Sequence, residues 1–263
     1  TFLGWIWEGQ ATPVTDVRIE PGSTGDKVYT AVWQADVYTV TLLPNGGSLS
    51  ETTLEIAYGS EFILPTPEWR GHTFDGWYMG EDLLTESIWT WEEDITLIAR
   101  WSVTYYSITY DMEQGTNSAY NPTEYTVFDT VVLQTPVRAG YTFLGWTTED
   151  QTDPQMSVMI PAGSIGNLTF TAHWEANTYT VIYDAAGGAV DTDHVEIIYD
   201  HMLLLPEPVR LGYTFDGWYD GTEKIEDGIW NRTEDVTLTA VWIANCYTVT
   251  FVSNNGDPTF DLT

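Results

Sequence analysis

A short stretch that keeps returning limits what this chain can fold into more than any other feature. Gly71-His72-Thr73-Phe74-Asp75-Gly76-Trp77-Tyr78 comes back as Gly140-Tyr141-Thr142-Phe143-Leu144-Gly145-Trp146 and as Gly212-Tyr213-Thr214-Phe215-Asp216-Gly217-Trp218-Tyr219. The chain opens on a fourth copy, Thr1-Phe2-Leu3-Gly4-Trp5. Self-similarity at a long, regular spacing predicts an array of like units. Two further landmarks keep step with the motif. One is a strand start: Tyr38-Thr39-Val40, Tyr106-Ser107-Ile108, Tyr179-Thr180-Val181 and Tyr247-Thr248-Val249. The other is a closing tryptophan: Trp33, Trp101, Trp174 and Trp242. The starts lie 68, 73 and 68 residues apart, so a short and a long repeat type alternate with a combined period of 141. Residues 1–34 then read as the C-terminal half of a long repeat, 38–101 as a short one, 106–174 as a long one and 179–242 as a short one. Residues 247–263 begin a further repeat. The links at 34–37, 102–105, 175–178 and 243–246 are short and uniform, which predicts a semi-rigid rod rather than freely jointed beads.

Inside each unit the apolar period is two, the signature of strands. Tyr179, Val181 and Tyr183 alternate with Thr180 and Ile182, and turn residues follow at Asp184-Ala185-Ala186-Gly187-Gly188. Asn45-Gly46-Gly47 sits at the same place, with residue types that tolerate the positive φ of tight turns. A second strand, a proline-containing crossing (Leu64-Pro65-Thr66-Pro67, Leu205-Pro206-Glu207-Pro208), the Thr-Phe-x-Gly-Trp strand and a last strand ending on the closing tryptophan complete the unit. Proline cannot donate to a ladder, so the crossing leaves the sheet. The expected class is β-rich, with about four strands per unit. It becomes α+β if a short helical turn forms near Gly59–Leu64.

Trp5, Trp33, Trp77, Trp101, Trp146, Trp174, Trp218 and Trp242 are the two tryptophans repeated per unit, and they read as core. A unit of roughly 65 residues has a poor surface-to-volume ratio and needs large side chains to close a core. Trp89 and Trp230 share a position in the short repeats and are expected to cover the core's open side. Trp69 stands where Val137 and Val209 stand and is expected to pack. Trp7 aligns with Thr148 and Trp91 with Arg232. As positions that break the repeat, Trp7 and Trp91 are the candidate contacts with a partner. Arg70, Arg138 and Arg210 share one position, which predicts a structural pairing with a carboxylate or backbone carbonyls.

The chain carries 39 acidic against 8 basic residues, a net charge of −31. Repulsion by phosphate argues against nucleic acid and anionic membrane as partners. Glu93, Asp94, Glu234 and Asp235 precede the last strand of the short repeats and are the candidate Ca²⁺ ligands, although none lies in a Ca²⁺-loop spacing. His72, His173, His194 and His201 form no ligand motif, and no nucleophile or phosphate-loop pattern is present; an enzyme is not expected, nor a cofactor other than Ca²⁺. Cys246 stands alone, so no intrachain disulfide can form. Asn167-Leu168-Thr169 and Asn231-Arg232-Thr233 match the N-glycosylation pattern. No apolar run is long enough to span a bilayer.

The Tyr-x-Val strand, the Asn-Gly-Gly turn, Pro208-Val209-Arg210-Leu211-Gly212-Tyr213-Thr214-Phe215-Asp216-Gly217-Trp218-Tyr219 and the closing Val236 to Trp242 together resemble the Listeria–Bacteroides repeat, the B-repeat type of internalin-like surface proteins. The resemblance covers nearly the whole chain. It implies β-grasp-like units, an extracellular or cell-surface location, and a stalk, filament or adhesion role without catalytic residues. The leading expectation is a non-catalytic structural array whose partners are neighbouring repeats or other copies of itself. The alternative is an adhesion module binding a host or cell-wall ligand. The two end pieces suggest either a crop of a longer array or strand donation, in which 247–263 of one subunit completes residues 1–34 of the next.

Overall fold

The computed structural model describes residues 1–251 and the backbone of residues 260–262. Every regular element among them is a strand. The chain forms two compact units. One holds residues 1–107, 124–130 and 160–166; the other holds 108–123, 131–159 and 167–263.

In the first unit, the short repeat is a five-stranded mixed sheet. Its order is Thr53–Ala57, Val37–Leu43, Ile95–Val103, His72–Met79 and Asp82–Leu83. The first and closing strands run parallel at its centre, with Val40 opposite Ile95 and Leu43 opposite Ile98. The remaining pairs are antiparallel. Alternation along the strands sends Val40, Leu42, Leu97 and Ala99 to one face, where all four are fully buried. Trp77 and Trp89 join them there. The second unit repeats this arrangement in residues 178–244, with Val181 opposite Val236, and with Val181, Leu238, Trp218 and Trp230 in its core. It also carries the long repeat's closing strand Leu168–Ala176, parallel to Ile108 and Thr109 on one side and antiparallel to the motif strand Tyr141–Thr147 on the other.

The motif strand is bulged in every copy. Register slips between Phe2 and Gly4, Phe74 and Gly76, Phe143 and Gly145, and Phe215 and Gly217. An extra residue at a bulge bends the strand and adds twist, which brings the motif Phe and Trp into edge contact at 5.3–5.6 Å.

A second recurring contact explains why the first turn ends on glycine. The closing tryptophans donate from Nε1 to the carbonyls of Pro44, Met112 and Ala185 at 2.9–3.0 Å. That bond lays each ring on the turn. A Cβ at Gly47 or Gly188 would meet the ring at 2.5 Å, and Gly115 is blocked in the same way. The long repeat's Met112-Glu113-Gln114-Gly115 therefore keeps its glycine. Glu113 and Gln114 meanwhile take up the positive φ values, 45° and 70°.

The sequence expectations need four corrections. The main sheet of each short repeat has a fifth strand beside the four expected, because the residues after the motif fold back as a small edge strand (Asp82–Leu83, Glu223–Ile225). No helical turn follows Gly59 among the described residues; the segment runs extended, since each proline removes a donor and restricts the residue before it. Trp5 and Trp33 are not core. They are 36% and 69% exposed, because residues 1–34 have no first strand or turn to receive them. The links after Trp101 and Trp174 are also shorter than four residues, because the closing strands there run two residues past the tryptophan. Strand donation by 247–263 would involve residues 252–259 and 263, which lie outside the described residues.

Candidate functional site: the joints between repeats

The positions that break the repeat scatter. Trp7 is 37% exposed, packs edge-on against Tyr29 at 5.4 Å, and lines an open cavity of about 590 Å³ with Ile6, Lys27 and Val28. In the complete repeats a first strand runs beside the corresponding segment, so this cavity marks where that strand would lie. Trp91 is half-buried 4.9 Å from Trp89 and packs on the first short repeat's core. Its counterpart Arg232 pairs with Asp220 and with Glu223 at 2.6 Å. Glu93 and Glu234 are exposed. Asp94 and Asp235 accept the backbone N–H of Thr39 and Thr180 at 2.7 and 2.8 Å, which ties the start of each closing strand to the first strand. Among the described residues no three His, Cys, Asp or Glu side chains gather as a cation would need.

What the fold does bring together lies at the links. The motif threonine bonds the link residue at each of four successive joints: Thr1 to Asp36, Thr73 to Thr104 at 2.9 Å, Thr142 to Asn177 at 2.6 Å and Thr214 to Asn245 at 2.6 Å. The link N–H of Thr104, Asn177 and Asn245 donates to the motif carbonyl of Gly71, Gly140 and Gly212 at 2.9–3.0 Å. The repeated arginine closes the motif's near side. Arg138 and Arg210 donate to the carbonyls of Glu113 and Ala186 and lie 3.6 and 3.9 Å over the rings of Tyr141 and Tyr213. The first short repeat has an aromatic stack in place of this cation–π pair: Trp69, 37% exposed, lies on His72 at 3.8 Å.

On the far side, the next repeat meets the motif glycine. Gly71 holds φ +76° against the side chain of Val127, and Phe128 sits edge-on to His72 at 5.6 Å. Gly140 holds φ +76° with its Cβ position 2.3 Å from the ring of Tyr199, so no larger residue fits there unless the ring moves. Tyr199 packs edge-on against Tyr141 at 5.6 Å, and its N–H donates to the carbonyl of Asn177. The Tyr141 hydroxyl donates to Asp200 at 2.7 Å, and that bond raises its pKa.

With the joint defined, the comparison with known proteins is decisive. The Listeria-Bacteroides repeat domain matches residues 38–100, 106–173 and 179–241. The chain belongs to this repeat family. Each matched segment ends one residue before a closing tryptophan, Trp101, Trp174 or Trp242. Relatives include a putative Gly-rich membrane protein of Evansella cellulosilytica, 32% identical over 276 aligned residues that cover 97% of this chain and 30% of the relative. A putative membrane protein of the same organism is 34% identical over 239, covering 86% and 35%. Internalin H of Listeria monocytogenes is 30% identical over 86, covering 32% and 15%. The chain thus spans about a third of the first two relatives' length. No helix among its described residues is long and apolar enough to cross a membrane.

Sequence reasoning found the motif and the repeated arginine but missed the joint's other half, Tyr199, Asp200 and Asn177. One signal was available. Asn177 and Asn245 fall at equivalent link positions, and a side chain that recurs in a link has work that a loop does not need.

Proposed function

We propose that this repeat-family chain acts at the cell surface as a non-catalytic stalk, a spacer whose length is set by repeat number. The observation that carries the reading is the joint: the same threonine-to-link bond occurs four times, with the link N–H on the motif carbonyl in three of them. Bonds that tie each link to the motif before it suit a chain meant to hold a distance. Naming of the relatives as membrane proteins and an internalin supports placement at the surface. The acidic excess suits that role, since like-charged arrays repel one another and stay extended from a surface.

The test is a surface display. The chain is placed between a cell-wall anchor and an outer tag, once, twice and three times in tandem. Accessibility of the tag to a bulky antibody should climb with copy number. Accessibility independent of copy number would end the stalk reading. Nanomolar binding to a cell-wall polymer or host extract, abolished by Trp7→Ala, would replace it with a recognition role.

A further inference from the structure

We infer that Tyr141 and Asp200 form a clasp that fixes the angle between the long repeat and the short repeat after it. The inference rests on the stalk reading for its purpose but not for its geometry.

The position of Asp200 is the first argument. Asp200 sits in the left-handed region, φ +63°, where a side chain costs energy. The same turn in the first short repeat is made by Gly59 at φ +78°, with open space around it. Glycine thus satisfies this backbone. The second short repeat nevertheless carries a carboxylate there, and its Oδ2 accepts the Tyr141 hydroxyl at 2.7 Å.

The second argument is that the bond closes a ring of contacts around the link. Tyr199 fills the space over Gly140 and packs on Tyr141. Asn177 receives the Tyr199 N–H on its carbonyl, donates its own N–H to Gly140, and accepts the Thr142 hydroxyl on its side chain. These contacts hold the link to both repeats, yet all of them lie close to the pivot. Tyr141 to Asp200 is the one side-chain hydrogen bond in the set that runs directly from one repeat to the next, off the link itself. A bond displaced from the pivot resists bending that bonds at the pivot cannot. The corresponding position in the long repeat is Phe128, which meets His72 edge-on at 5.6 Å and offers no hydrogen-bond acceptor.

The experiment uses the whole chain with Cys246→Ser, which removes its exposed thiol. Spin labels go on Glu149→Cys and Glu196→Cys, both exposed and away from the joint. The distance distribution between them is then measured. Asp200→Gly keeps the turn, as Gly59 shows, and deletes the acceptor. Tyr141→Phe keeps the ring and deletes the donor. Each should broaden the distribution about twofold, and the double variant should broaden it no further, because both remove the same bond. Circular dichroism and the thermal midpoint should stay within those of the unsubstituted chain, since the bond is exposed. An unchanged distribution in both single variants would overturn the clasp, as would broadening that simply adds in the double variant. Either result leaves the copy-number test of the stalk untouched, so the two ideas can fail separately.

Discussion

At the scale of single residues, the array is governed by close approach. Gly188 has the Trp242 ring where its Cβ would be. Gly188→Ala must push that ring off the Ala185 carbonyl, at a cost of about 2–3 kcal/mol. Gly228→Ala is the control, because its Cβ would meet only one carbonyl at 3.9 Å, and it should change stability by less than about 0.5 kcal/mol. Urea denaturation followed by tryptophan fluorescence separates the two. Tyr110 offers a pH test. Its hydroxyl donates to the Pro122 carbonyl at 2.8 Å, and burial pushes its pKa up to about 12. The unfolded value is about 10. Its contribution is therefore complete below pH ~10 and is lost as pH rises through the folded value near 12. Tyr110→Phe should flatten the fall in stability over that window, measured by denaturation at each pH. The turn glycines were legible in the sequence as turn formers. That the closing tryptophan imposes the second one was not, because the contact spans 54 residues between Gly47 and Trp101.

At the scale of elements, the strands follow from alternation, but their neighbours do not. Tyr-x-Val starts and Thr-Leu-x-Ala endings announce strands through local pattern. The parallel pairing of first and closing strands is a long-range choice with no local mark. The edge strands Asp82–Leu83 and Glu223–Ile225 are too short to carry a period at all. Asp94 and Asp235 illustrate the same limit. In sequence they looked like candidate cation ligands in a solvated loop; in the fold each accepts a first-strand N–H. Asp235→Ala should cost about 1 kcal/mol and speed exchange at the Thr180 amide, read by hydrogen-exchange mass spectrometry. For the same reason, adding a chelator should leave the melting temperature of the unsubstituted chain unchanged. A downward shift of several degrees would restore a cation to that corner.

At the scale of the whole molecule, repeats of this kind behave as nearly independent folding units coupled to neighbours. Trp218 is 1% exposed and donates to the Pro206 carbonyl at 2.7 Å. Trp218→Ala should cost about 3–5 kcal/mol. The loss should fall on residues 178–244 first, seen as a separate early step in proteolysis, while the repeat around Trp77 persists. Net charge acts on every repeat together. At −31, self-repulsion weakens the folded state, and raising NaCl from about 0.02 to about 0.5 M shortens the screening length several-fold. The melting temperature should rise over that range in differential scanning calorimetry.

The parallel pair at the centre of each sheet has a further consequence. The chain enters a complete repeat along its first strand and leaves along its closing strand, and these two lie side by side, pointing the same way. When such a chain is pulled from its ends, the two strands are drawn in opposite senses along their shared ladder. Every hydrogen bond in the ladder is then loaded at once, in shear, rather than one after another as in a peeling hairpin. A repeat wired in this way yields all at once or hardly at all, so under tension the array would lengthen in steps, one repeat at a time.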